Sequence, residues 1–182
     1  MSSLKPHHLL ALVCLSMPLV GQSLEADKKQ PTTIDANTMT YNEKSQVNVF
    51  SGNVLLTRGS LVIRGDKLTL SESKEGNQFA KIEGAPARFK QERDAEKKGD
   101  ILLIDGTANL IEYDGAKSTV TLTGNASLQK STNGQLTESI SGNRIVYQQN
   151  TESLSVVGGE TNNGKSRVQA VFKPHPVTDK TP

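Results

Sequence analysis

A chain of 182 residues with 34% hydrophobic and only 4% aromatic side chains has room for one domain, but little material for a compact helical core. Its formal net charge is +2, from 21 basic and 19 acidic residues, which leaves no electrostatic footprint for nucleic acid. The apolar content therefore predicts a thin core spread over many strands.

Residues 1–23 read as a secretory signal peptide. A short polar start with Lys5, His7 and His8 precedes an apolar run from Leu9 to Val20 and the small-x-small sequence Gly21-Gln22-Ser23. The run is about 12 residues, short of the roughly 20 of a spanning helix, and Pro18 interrupts it. An uncleaved signal anchor is the competing reading, and cleavage after Ser23 or after Ala26 fits equally. Loss of the segment removes Cys14, the only cysteine, so the exported chain forms no internal disulfide. Leu12 and Val13 do not supply the small residue of a lipoprotein cleavage site, and the expected product is a soluble, non-lipidated periplasmic protein. Residues 24–30 are polar and read as a flexible segment, 31–173 as the single domain, and 174–182, with Pro174, Pro176 and Pro182, as a disordered tail.

Within 31–173 short alternating runs of Val, Ile, Leu, Thr and Tyr predict strands. Turn chemistry separates them at Asn42-Glu43-Lys44, Arg58-Gly59, Glu75-Gly76-Asn77, Asp114-Gly115, Asn133-Gly134 and Asn163-Gly164. This density predicts consecutive antiparallel hairpins. A repeat lies over them: Phe50-Ser51-Gly52, Ile82-Glu83-Gly84, Leu122-Thr123-Gly124 and Val156-Val157-Gly158, spaced by 32, 40 and 34 residues. Tyr41, Tyr113 and Tyr147, the only tyrosines, each stand 11 residues before one of these glycines. Residues two apart share a face, so Phe50, Ile82, Leu122 and Val156 form one inward column. The copies at Gly84 and Gly158 are the irregular ones. Val47 and Val49 fall out of register with Phe50, which predicts a bulge before Gly52. The run Arg64 to Leu70 matches Ser141 to Tyr147 in spacing, pairing Leu68 with Ile145 and Leu70 with Tyr147. The charged stretch from Gln91 to Asp100 reads as a solvated loop.

Chemistry is sparse. After the leader one histidine remains, His175, between two prolines, which removes most nucleophile–base pairs and the usual zinc ligand sets. Asp66, Asp105 and Asp114 adjoin glycines and read as turn formers. No phosphate loop, EF-hand or metalloprotease motif is present, and neither an enzyme nor a cofactor is expected. The inward column admits two readings, a sealed all-β core or an apolar channel held open for lipid. Small inward residues such as Ala36 and Ala126 would leave room in the second.

From Pro31 to about Lys173 the chain resembles the OstA-like family of periplasmic lipopolysaccharide transport proteins. The likeness rests on Pro31 with Ile34, Ser51-Gly52-Asn53-Val54, Asp66-Lys67-Leu68, Tyr113, Leu122 through Leu128, and Gly142 through Tyr147. It implies an all-β, open, twisted antiparallel β-jellyroll of V-shaped section with a hydrophobic interior. It also implies a protein that binds lipopolysaccharide by its acyl chains and bridges the inner and outer membranes as a head-to-tail oligomer. The expected partners are the inner-membrane export protein C and the outer-membrane assembly protein D. The interior contacts it implies are Ile34, Tyr41, Phe50, Val54, Leu56, Leu68, Leu70, Phe89, Tyr113, Leu122, Leu128, Ile145 and Tyr147. Phe89 is at odds with the repeat register, which sets it opposite Ile82. Thr32 departs from the family's aliphatic residue. Arg58, Arg64 and Lys67 read as a solvated face, with contact to lipid phosphates at the groove rim the alternative. The free sheet edges are expected near Thr32 to Tyr41 and Ser166 to Phe172. Two rival readings are a membrane-anchored relative resembling export protein C and a β-solenoid that carries no lipid.

Overall fold

The computed structural model describes Asp27 and residues 29–95, 97, 99–151, 153–161, 164–165 and 167–173. The segment expected to be a signal peptide, His175, the expected C-terminal tail and Asn163 of the last expected turn lie outside the described residues. Among the described residues twelve strands follow in order: β1 (Thr33–Asp35), β2 (Thr38–Asn42), β3 (Val47–Arg58), β4 (Leu61–Glu72), β5 (Gln78–Asp94), β6 (Ile101–Asp114), β7 (Thr119–Thr132), β8 (Gln135–Gln148), β9 (Ser153–Val157), β10 (Glu160–Thr161), β11 (Gly164–Lys165) and β12 (Gln169–Phe172). Among the described residues no helix is long and apolar enough to cross a membrane.

The six long strands β3 to β8 form an antiparallel meander, each hydrogen-bonded to the next in sequence. β1 and β2 pair with successive halves of β3, while β12 and β9 pair with successive halves of β8. Every long strand is interrupted near its middle. The register shifts lie at Ser51/Val54, Arg64/Lys67, Glu83/Ala87, Thr107/Leu110 and Thr123/Ala126, so the breaks line up across the sheet. This line is a crease that divides the sheet into two wings, the walls of an open, V-shaped β-jellyroll. Wing 1 carries β2 and β9 as its edges, and wing 2 carries β1 and β12.

The crease explains the repeated glycine. Gly52 and Asn53 have φ of 81° and 50°, and Gly124 and Asn125 have 78° and 50°. Glycine enters this left-handed region freely, and asparagine is among the few other residues that tolerate it. Each pair lets β3 or β7 take three steps where β4 or β8 takes two, which is a β-bulge. It sits after Ser51, not before Gly52 as the sequence suggested, and Val47 and Val49 simply face outward. The irregular copies do differ: β5 uses the segment Gly84 to Pro86 to gain two residues over β6, and Gly158 ends β9. Four steps across the crease join outward Glu83 to inward Ala87, so the alternation changes after Ile82 and Phe89 faces inward despite its spacing.

Two inward rows run across the strands as directly opposed partners. In wing 1 the row is Met39, Phe50, Leu68, Ile82, Ile111, Leu122, Ile145 and Val156. In wing 2 it is Ile34, Leu56, Ile63, Phe89, Gly106, Leu128, Ile140 and Ala170. Burying each large aliphatic side chain contributes about 1.5–3 kcal/mol, so these rows are the principal source of cohesion. Beside the crease the facing pairs are small: Val54 with Gly65, Ala87 with Ala108, and Ala126 with Gly142. A Cβ on Gly65 or Gly142 would come within 2.8 or 2.9 Å of a carbonyl oxygen on the next strand, so only glycine fits there. Ala126, expected to leave open space, is sealed in this tight zone.

Two further expectations are corrected. The charged run does not begin a loop at Gln91, because β5 continues to Asp94. Alternation turns Gln91 and Arg93 inward, where both are buried, and leaves Glu92 and Asp94 exposed. Asp66 and Asp105 lie inside β4 and β6 and are not turn residues, whereas Asp114 does hold its turn by accepting a 3.1 Å hydrogen bond from Lys117 N.

Candidate functional site

Between the wings lies a groove of about 900 Å³, lined from both sides. Its wing 1 wall begins with Phe50, Ile82 and Ile111 and continues outward to the next row, in which Tyr41, Asn48, Leu70, Ala80, Tyr113, Val120 and Tyr147 oppose one another strand by strand. All three tyrosines share this row, so their fixed offset from the glycines marks a constant distance from the crease. The wing 2 wall is built from Ile34, Leu56, Leu61, Ile63, Phe89 and Ile104. Phe89 lies over Gly106, where any side chain would overlap its ring.

Of the contacts implied by resemblance, Ile34, Tyr41, Phe50, Leu56, Leu70, Phe89, Tyr113 and Tyr147 line the groove. Val54, Leu68, Leu122, Leu128 and Ile145 do not: each is at most 2% exposed and belongs to the packed floor beneath it. Tyr41 stands at the open edge, 55% exposed. Ile63, Ile82, Ile104, Ile111 and Val120 also line the groove. Ile82 was already in the repeat column, and the others follow only once cross-strand partners are known.

The outer part of wing 2 is polar. Arg58, Gln91 and Arg93 line the groove there, and Lys130 pairs with Glu138 at 2.8 Å on neighbouring strands. Arg93 Nη1 donates a 2.9 Å hydrogen bond to Tyr147 Oη, and its guanidinium lies 5.4 Å from the centre of that ring. This contact joins the outer parts of the two wings. Arg64 and Lys67 are exposed as expected, but Arg58 is not a free surface cation, since its Nε is buried.

Asp27, within the segment expected to be flexible, seats its carboxylate at this polar end. Oδ1 accepts from Ser60 N at 3.0 Å, and Oδ2 accepts from Ser60 Oγ at 2.6 Å and from Gln91 Nε2 at 3.4 Å. Burial pushes its pKa up, but the Ser60 and Gln91 hydrogen bonds and the Arg58 charge outweigh that and hold it below 3.8, the usual value. Among the described residues no cluster of side chains suits a metal ion. The arrangement offers apolar shelter with a polar margin.

Comparison with known proteins gives a consistent picture. A family model described as LptA/(LptD N-terminal domain) LPS transport protein matches residues 33–153. The lipopolysaccharide export system protein LptA of Haemophilus influenzae is 32% identical over 155 residues, covering 84% of this chain and 82% of that protein. LptA of Escherichia coli K12 is 30% identical over 173 residues, covering 94% and 86%. The crystal structure of LptH, the LptA-homologous periplasmic component of the lipopolysaccharide transport device of Pseudomonas aeruginosa, superposes with a TM-score of 0.66 at 24% identity. It covers 82% of this chain and 99% of LptH.

Proposed function

Because the chain belongs to the LptA/LptD N-terminal domain family of lipopolysaccharide transport proteins, we propose that its groove holds the acyl chains of lipopolysaccharide as the lipid crosses the periplasm. The observation that carries this reading is the pair of apolar groove walls, Phe50, Ile82, Ile111 and Tyr113 on one wing and Ile34, Leu56, Ile63 and Phe89 on the other. An acyl chain lying along them meets an equivalent apolar surface at each strand. Each methylene withdrawn from water contributes about 0.8 kcal/mol, so a multi-chain lipid needs such shelter to cross an aqueous compartment. Movement from one strand to the next exchanges like contacts for like, and no catalytic step is required.

The edges support the bridge part of the proposal. β2 is exposed throughout, and β12 exposes Val171 and Phe172 at 47% and 68%. Both present unpaired backbone groups beside apolar side chains, the template for strand addition. Copies joined head to tail would continue both rows across the junction, with the inner-membrane export protein C and the outer-membrane assembly protein D at the two ends.

Photo-crosslinking tests the groove. A photoreactive residue at Phe50, Phe89 or Tyr113 is expected to form adducts with lipopolysaccharide, and one at the outward Val49 is not. Failure at all three inward positions would return the interior to a purely structural role. Oligomer formation is tested by light scattering on concentrated protein, where Val171→Pro is expected to abolish concentration-dependent growth.

A further inference from the structure

The polar end of wing 2 holds cations that the groove walls leave uncompensated. Arg93 is 8% exposed, yet among the described residues its one hydrogen bond is to the neutral phenol of Tyr147, and its Nε is buried without a partner. Arg58 lines the same groove half-buried, with the Asp27 carboxylate as its nearby opposite charge, and among the described residues its Nε is likewise buried without a partner. Burying a guanidinium away from water without a counter-charge is strongly unfavourable, so such a pair points to an anion that completes the site. Ser60 and Gln91 add donors from the same end, and these meet the carboxylate of Asp27. Asp27 comes from the N-terminal segment and not from either wall. It satisfies Ser60 and Gln91 but leaves both buried Nε atoms without an acceptor.

We propose that this end of the groove is a seat for a phosphate group on the headgroup of an acyl-chain ligand, and that Asp27 is an intramolecular stand-in which the headgroup displaces. A phosphate carries more acceptor oxygens than a carboxylate and can meet two guanidinium groups together with the Ser60 donors. Apolar Ile63 and Phe89 line the same wall, so a headgroup held here leaves its chains in the groove. The proposal rests on the groove being a lipid site and adds what anchors the lipid's polar end.

The test uses the full exported chain and three probes: lipid A with its phosphates, the same lipid after phosphatase treatment, and inorganic phosphate. The expected result is tighter binding of the phosphorylated lipid. Arg93→Gln is expected to weaken that binding about tenfold, as loss of a charge-assisted hydrogen bond would, and to cost the dephosphorylated lipid much less. Arg93→Lys should recover part of the loss. Asp27→Ala, at the margin of the fold, should tighten the phosphorylated lipid several-fold and leave the other unchanged. Equal binding of the two lipids, or an Arg93→Gln loss of equal size for both, would overturn the headgroup seat while leaving the lipid groove standing. Binding of inorganic phosphate without discrimination between the lipids would reassign the site to a free anion and also overturn it. If neither lipid binds, the groove reading itself fails.

Discussion

The two wings are cut from the same six strands, yet they are finished differently. Wing 1 follows its aliphatic row with a tyrosine row and carries a single lining charge among the described residues, Glu72 at its outer end. Wing 2 follows an equivalent row with Arg58, Gln91 and Arg93, and replaces one large side chain by Gly106 to seat the Phe89 ring. A strand traversing the crease therefore passes from a largely apolar wall to one whose outer part is polar. The alternation of a strand fixes which residues face inward, but only their chemistry distinguishes what each wall can hold.

The comparison breaks most visibly through the packed floor. Leu122→Ala in the wing 1 row is expected to destabilise the fold by about 2–5 kcal/mol in denaturant unfolding, while crosslinking from Phe50 persists if folded protein is recovered. Gly106→Leu acts on the other wing and is expected to cost about 1–3 kcal/mol by driving Phe89 from its seat. Its effect on lipid binding should exceed that of Leu122→Ala, since Phe89 lines the groove and Leu122 does not. Gly124→Ala addresses the crease between them. With φ at 78° it should lose about 1–2 kcal/mol, and the Asn109 side chain would have to shift.

The smallest expected effect is a dependence on pH. Asp27 is held below the usual carboxylate value in the folded chain, so its stabilising contribution is full above the unfolded value of 3.8 and is lost as pH falls through the folded one. The melting temperatures of the parent and Asp27→Asn should therefore differ at neutral pH and converge below pH 3.8. A difference that persisted in acid would mean that Asp27 is held by shape and not by charge.

Much of this was legible in the sequence. The hairpin turns, the inward column through Phe50, Ile82 and Leu122, and the equivalence of Leu68 with Ile145 follow from spacing, because alternation and turn chemistry are local. The bulge position was not, since a Gly-Asn pair does not announce which side of it the register moves. Gln91 and Arg93 were hidden in a charged run whose average polarity suggested solvent. Their burial depends on the facing wing, in particular on Tyr147, which lies 54 residues further along the chain. Floor and wall residues were likewise inseparable, because Leu122 and Phe50 share one row and differ only in what lies above them.

The two rows have one residue per strand, and neighbouring strands are spaced by about 4.8 Å. Groove length is thus counted in strands, and groove width is set separately by the crease. Inserting one further hairpin with a bulge at its middle would lengthen the passage by about 10 Å without altering its cross-section. A chain built this way can be extended to a new span by duplication of a short segment, leaving the old walls untouched.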